Sequence, residues 1–152
     1  MVVVTEEERR MSSVLPDPNT AFGRRVAERL RDETIIWITT VGADGTPYPN
    51  PVWYVWDGES FLIYTLHNAA RLKHIQRNPR VALNFDTRDD GDDVVIFTGE
   101  ARLAPDELPP DKHPAYMAKY AEAMARVSRS TERFASIYSV PVRVTPTKLR
   151  GF

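Results

Sequence analysis

Three prolines at alternate positions, Pro47, Pro49 and Pro51, constrain this chain more than any other feature. They sit in residues 46–56, TPYPNPVWYVW, whose aromatic and β-branched remainder reads as strand. A proline has no N–H to give to a ladder, so the sheet must be open, bulged or at an edge there. Such an opening leaves neighbouring backbone groups free to bind something else. Residues 34–41 (TIIWITTV) form the strand before it, joined by the turn Gly42-Ala43-Asp44-Gly45. After the tight turn Asp57-Gly58, residues 60–65 pair back. Residues 34–65 therefore predict a three-stranded meander.

At 152 residues the chain fits one domain with a real core. It is 42% hydrophobic and 27% charged, the composition of a soluble globular protein. A net charge of −1 argues against general nucleic-acid binding, which uses a strongly basic face. There is no cysteine, which excludes disulfides, thiolate zinc sites, iron–sulfur clusters and cysteine nucleophiles. A cytoplasmic location is expected. No apolar run approaches the ~20 residues of a membrane span. Val2 to Val4 is followed by Glu6, Glu7 and Glu8, unlike a signal peptide. His67, His74 and His113 share no metal-ligand spacing, and no metal site is expected. The aspartates at 89, 90, 92 and 93 crowd a turn but lack the order of a calcium loop.

Residues 1–15 show no periodicity and read as a flexible arm, with Met11 as an alternative start; the domain occupies 16–152. Asn19 or Thr20 can cap a helix over 21–31, with Phe22, Val26 and Leu30 on one stripe and its arginines on the solvated face. Residues 64–85 read as strand, cationic helix, strand. His67 or Asn68 would cap that helix, Leu72 and Ile75 would face inward, and Asn78-Pro79 would stop it. Arg71, Lys73, His74 and Arg77 project from its flanks. Two readings stand for Arg71 and Lys73: solvated surface charges, or the cradle of a phosphate at the helix N-terminus.

Residues 87–92 form a charged turn. Residues 93–103 form a long strand in which Gly99 marks a bulge or a close approach. A proline-rich linker spans 105–114. A helix over 115–127 aligns Tyr116, Tyr120, Met124 and Val127. Ser128 or Ser130 caps a second helix that turns Phe134, Ile137 and Tyr138 inward, and residues 140–144 make the last strand. The fold class is mainly β (α+β), a small antiparallel barrel of about six strands.

Four motifs carry a family resemblance. They are Thr39-Thr40-Val41 with Pro49-Asn50-Pro51-Val52-Trp53, Ile63-Tyr64-Thr65, residues 70–75 (ARLKHI) with 77–83 (RNPRVAL), and Phe97-Thr98-Gly99-Glu100-Ala101. Together they resemble the FMN-binding split barrel of the pyridoxamine 5′-phosphate oxidase group, over roughly residues 18–152. That resemblance implies a six-stranded antiparallel split β-barrel with flanking helices. Pro141-Val142-Arg143-Val144 and Arg150-Gly151-Phe152 resemble the branch that uses the deazaflavin coenzyme F420. The oxidase proper ends on an acidic residue, a large aromatic and glutamine, and carries basic residues where this chain has Asn68 and Ala69.

By resemblance, Arg71 and Lys73 match phosphate-binding positions, following the small residue Ala70. Thr65 matches a residue bonding the phosphate or ribityl chain. Asn50, Pro51, Val52 and Trp53 match the strand facing the cofactor ring. Trp53, Trp56, Phe85 and Tyr138 are candidates to line the groove. The tryptophans Trp37, Trp53 and Trp56 stand between barrel core and cofactor wall. The family implies a homodimer with the cofactor between two barrels, and hydride transfer from reduced F420 to a small unsaturated or quinone-like molecule. FMN is the alternative cofactor, and a non-catalytic flavin- or tetrapyrrole-binding protein the alternative function. No catalytic acid is identified; Tyr48, Tyr54 and Tyr64 are candidates, and packing is the better reading of each.

Overall fold

The computed structural model describes Val3 and residues 13–152. Helix α1 (Ala21–Asp32) leads into β1 (Ile36–Val41), β2 (Pro47–Val52), β3 (Val55–Trp56) and β4 (Phe61–Thr65). Helix α2 (Ala70–Arg77) precedes β5 (Arg80–Asn84) and β6 (Val95–Leu103). A 3-10 turn (Pro110–Lys112), α3 (Pro114–Ser128) and α4 (Thr131–Ile137) then lead to β7 (Val140–Gly151). The strands form one seven-stranded antiparallel sheet in the order β2-β1-β5-β6-β7-β4-β3.

The prolines explain why the predicted meander does not form. Pro47, Pro49 and Pro51 lie opposite Val41, Thr39 and Trp37 of β1. Their donor-less sides face away from β1, so no strand can continue the sheet beyond β2. Residues 46–56 accordingly split into two strands at opposite edges of the sheet. Trp53 and Tyr54 make the break. The Tyr54 N–H donates to Tyr120 Oη at 3.0 Å, and its carbonyl accepts from Tyr120 Oη at 2.9 Å and Lys119 Nζ at 3.1 Å. Side chains of α3 thus replace the lost ladder, as a buried backbone requires. Three residue steps from Val52 to Val55 reach at most about 11 Å. The sheet must therefore curl until its edges nearly meet, which makes it a split barrel.

Strand β4 is buried along its whole length, because it lies between two apolar clusters. Phe61 and Ile63 join Val26, Ile38 and Phe97 inside the barrel. Leu62 and Tyr64 face the other way, against Tyr116, Tyr120, Met124 and Phe134 of the α3–α4 pair. This is the two-residue period of a strand covered on both faces. Burying each such side chain is worth about 1.5–3 kcal/mol.

Thr20 caps α1, accepting from Gly23 N at 3.0 Å, and Ser130 caps α4, accepting from Arg133 N at 3.0 Å. Gly99 is both a bulge and a close approach. The register shifts between Thr98 and Gly99, and a Cβ there would strike the Thr145 carbonyl. Other expectations need correction. Arg29 is 5% exposed, not part of a solvated face. It donates to the carbonyls of Asp93 and Asp86 and pairs with Glu33 at 3.1 Å. Val127 is 56% exposed, and Ser128, four residues after Met124, holds the inward position. The last strand runs twelve residues rather than five, pairing with both β4 and β6. Val14 and Leu15 are partly buried and pack against the barrel core. The arm assignment for residues 1–12, Val3 excepted, lies outside the described residues.

Candidate functional site

Helix α2 enters directly from the buried end of β4. Its N-cap is Ala69, which offers no side-chain bond, and its first turn contains no acid. His67 and Asn68 are exposed and do not cap it. Asn78 ends it as expected, its N–H donating to the His74 carbonyl at 2.7 Å. Leu72 and Ile75 are buried and pin the helix to the barrel, which fixes where Arg71 emerges.

Two polar atoms there have no partner. Thr65 is 0% exposed at the end of β4, and its hydroxyl is unpaired among the described residues. Arg71 Nε is likewise buried and unpaired among them. Burial pushes the Arg71 guanidinium below its ordinary value, and Tyr138 offsets this only in part. Buried polar groups are normally satisfied, and an unpaired buried donor costs roughly 1–3 kcal/mol, more when charged. Two such orphans, one of them cationic, fit the oxygens of an anionic ligand.

Arg71 also lines a cavity of about 300 Å³. One wall is the end of β2, with Pro51, Val52 and Trp53; Tyr64 of β4 adjoins it. The opposite side comes from the helix pair, with Tyr116, Phe134 and Tyr138. The rings are well ordered by contact. Trp53 stacks on Tyr120 (4.8 Å, 3°) and on Phe134 (5.3 Å, 9°), and Phe134 stacks on Tyr138 (4.4 Å, 21°). Tyr64 and Tyr116 meet edge to face at 4.8 Å. Burial raises both phenol pKa values, with a neighbouring Glu107 adding to the effect at Tyr64. Both stay protonated and are suited to donate a hydrogen bond rather than to act as bases. The Tyr64 hydroxyl is already engaged with the Leu108 carbonyl.

The cavity thus gathers Pro51, Val52, Trp53 and Arg71 from the candidate residues. Thr65, whose hydroxyl is orphaned, is fully buried and does not line the cavity. Asn50 is half-buried on β2 and does not line the cavity; Ala70 and Lys73 are exposed on α2 and lie outside it. Of the groove candidates, Trp53 and Tyr138 line the cavity, whereas Phe85 and Trp56 pack in the barrel core. Tyr54 is a core residue whose hydroxyl donates to the Arg29 and Leu30 carbonyls at 3.0 and 2.9 Å. Tyr48 is exposed and lies 4.9 Å from the His74 ring. Tyr116 and Phe134 were legible as inward-facing helix positions, but nothing in their spacing tied them to the α2 cation.

A separate groove carries Lys119 beside Leu30, Val55 and Trp56. Its ammonium sits 3.8 Å from the Tyr54 ring centroid, and burial lowers its pKa to about 8. Among the described residues no group of three His, Asp or Glu side chains could hold a metal. No described helix is long and apolar enough to cross a membrane.

The family model for pyridoxamine 5′-phosphate oxidase matches residues 22–148. Comparison with curated proteins returned no match. Among solved structures, the chain is similar to a putative pyridoxamine 5′-phosphate oxidase from Listeria innocua, with 16% identity and a TM-score of 0.61 over 84% of this chain and 94% of that one. It is similar to HutZ, a heme storage protein from Vibrio cholerae, with 16% identity and a TM-score of 0.61 over 87% and 95%. It is also similar to an F420 reductase, with 22% identity and a TM-score of 0.56 over 81% and 94%. At these identities the structures share the fold.

Proposed function

Since the chain belongs to the pyridoxamine 5′-phosphate oxidase family, we propose that it is an oxidoreductase that binds a flavin-type cofactor at the α2 cavity, with coenzyme F420 as that cofactor. The observation that carries the reading is the pair of orphans, Arg71 Nε and Thr65 Oγ1. They fit the phosphate and ribityl oxygens of such a cofactor. The stacked wall around Trp53 fits its flat ring. By resemblance, the segment Arg150-Gly151-Phe152 supports the deazaflavin over FMN.

A bound deazaflavin supplies hydride chemistry from its ring, acting on a small unsaturated or quinone-like substrate. The chain's own part is position, dryness and electrostatics. Arg71 holds the anionic tail and is relieved of its desolvation in doing so. Leu72 and Ile75 fix Arg71 by anchoring its helix. Trp53, Phe134 and Tyr138 exclude water from the ring's surroundings. Lys73, exposed on the same helix, adds a screened, long-range attraction for anions. A homodimer is part of the proposal: the end of the edge strand β2 lines the cavity, and a second barrel there would complete a groove.

Paired fluorescence titrations with F420 and with FMN test the reading. Tight binding of F420 with weak binding of FMN is expected. Preference for FMN would move the protein to the oxidase-type reading. Binding of neither, with binding of heme, would make it a non-catalytic tetrapyrrole binder. Sedimentation at micromolar concentration tests the dimer; a monomer that still binds cofactor would overturn that geometry.

A further inference from the structure

Tyr116 is 1% exposed and lines the cavity that holds Arg71. Its backbone N–H donates to His113 Nδ1 at 3.3 Å. Its hydroxyl has no partner among the described residues. Yet that oxygen is not among the side-chain atoms of the described residues that are both sealed from solvent and unpaired, which are Thr65 Oγ1 and Arg71 Nε. The cavity is the open space that Tyr116 lines. The neighbouring phenols differ. Tyr120 Oη bonds to Tyr54 and to the Thr34 carbonyl, and Tyr64 Oη to the Leu108 carbonyl. A buried phenol normally finds a partner, so this one, held by its ring against Tyr64, points to an acceptor supplied from outside the chain.

We infer that Tyr116 is a hydrogen-bond donor to a carbonyl-type oxygen on a flat ring, placed between the Trp53–Phe134 wall and Arg71. The inference deepens the cofactor reading of this cavity and rests on it for the identity of the ring's neighbour. The ring oxygen has two possible sources, a quinone-like substrate or the cofactor's own ring. Burial keeps the phenol protonated, so it donates without ionising. It positions and polarises the oxygen; no bond to carbon is formed or broken at Tyr116.

Tyr116→Phe removes one atom and keeps the edge-to-face contact with Tyr64. Because the hydroxyl has no partner among the described residues, the thermal midpoint should stay the same or rise. Calorimetric titrations of wild type and variant would use menadione, 2-methylnaphthalene, F420 and FMN, with menadione measured with and without cofactor. A single lost hydrogen bond corresponds to about tenfold in affinity. A loss of that size for menadione, with 2-methylnaphthalene unchanged, assigns the oxygen to the substrate. The same loss for F420 or FMN assigns it to the cofactor. If neither cofactor binds wild type but menadione discriminates the two proteins, the cofactor reading fails and the Tyr116 assignment stands. Affinities within twofold for every carbonyl probe, failure of wild type to bind any of them, or a clear drop in thermal midpoint would overturn it.

Discussion

Trp53 lies parallel to Tyr120, with ring centroids 4.8 Å apart and planes 3° from parallel. The pair joins the break in the sheet to the wall of the cavity. Tyr120 Oη accepts the Tyr54 N–H and donates toward the Thr34 and Tyr54 carbonyls at 2.8 and 2.9 Å. One hydroxyl therefore satisfies the backbone where β2 turns into β3. Tyr120→Phe should cost about 2 kcal/mol, since it leaves buried backbone groups unpaired. Urea unfolding measures this directly. The same variant should loosen Trp53 and weaken cofactor binding, whereas Tyr116→Phe leaves stability intact. Equal stability for both variants would contradict the assignment of their hydroxyls.

Arg29 ties α1 to the segment between β5 and β6. Its guanidinium bonds the Asp93 and Asp86 carbonyls, pairs with Glu33, and lies 5.0 Å from the Phe85 ring centroid. Breaking a buried, paired charge by removing one partner costs about 3–5 kcal/mol. Arg29→Ala should approach that loss in equilibrium unfolding. Arg31→Ala, whose partner Asp32 is exposed, should leave the unfolding midpoint essentially unchanged.

Stability should follow a distinctive course at alkaline pH. Burial raises the phenol pKa values of Tyr54, Tyr64, Tyr116 and Tyr120. Such groups contribute stability that is complete below the unfolded tyrosine value of about 10 and is lost above it. Lys119 acts in the opposite sense. Its folded pKa of about 8 lies below the usual lysine value, so its penalty fades as pH rises from about 8 toward 10.4. Thermal midpoints should hold or rise slightly from pH 8 to 10, then fall steeply. Lys119→Met should remove the rising part and leave the fall. Tyrosinate absorbance that developed fully in the folded protein near pH 10 would contradict the burial of these rings.

Much of the architecture was legible because local chemistry decided it. Thr20 and Ser130 cap their helices, Asn78-Pro79 stops α2, and Gly99 marks the bulge. The alternating prolines correctly announced an edge. Hydrophobic periodicity could not reveal that the chain crosses there to the opposite edge, because that crossing depends on Tyr120 and Lys119, more than sixty residues away. Arg29 was misread for a similar reason: its partners Asp86 and Asp93 come from a distant turn. Family resemblance selected Arg71 and Thr65. Their lack of partners is a property of the packed structure. The helix-borne half of the cavity, Tyr116 and Phe134, looked like ordinary core because a stripe of aromatics reads the same whether it meets a neighbour or a ligand.

Arg71 gives the most direct test of the central claim. In the cofactor-free protein it is a half-buried cation whose Nε is buried and unpaired among the described residues. Arg71→Met keeps its apolar length and removes the charge. The cofactor-free variant should be as stable as wild type or more so, while its affinity for F420 falls by at least about 2 kcal/mol. Lys73→Ala, an exposed position, should add little to that loss beyond a dependence on salt. The measurement is one fluorescence titration of F420 into wild type and Arg71→Met, alongside their thermal midpoints. Loss of affinity with stability retained supports an anion held at Arg71. Unchanged affinity, or a variant that loses stability without cofactor, would show that Arg71 serves the fold and not a ligand.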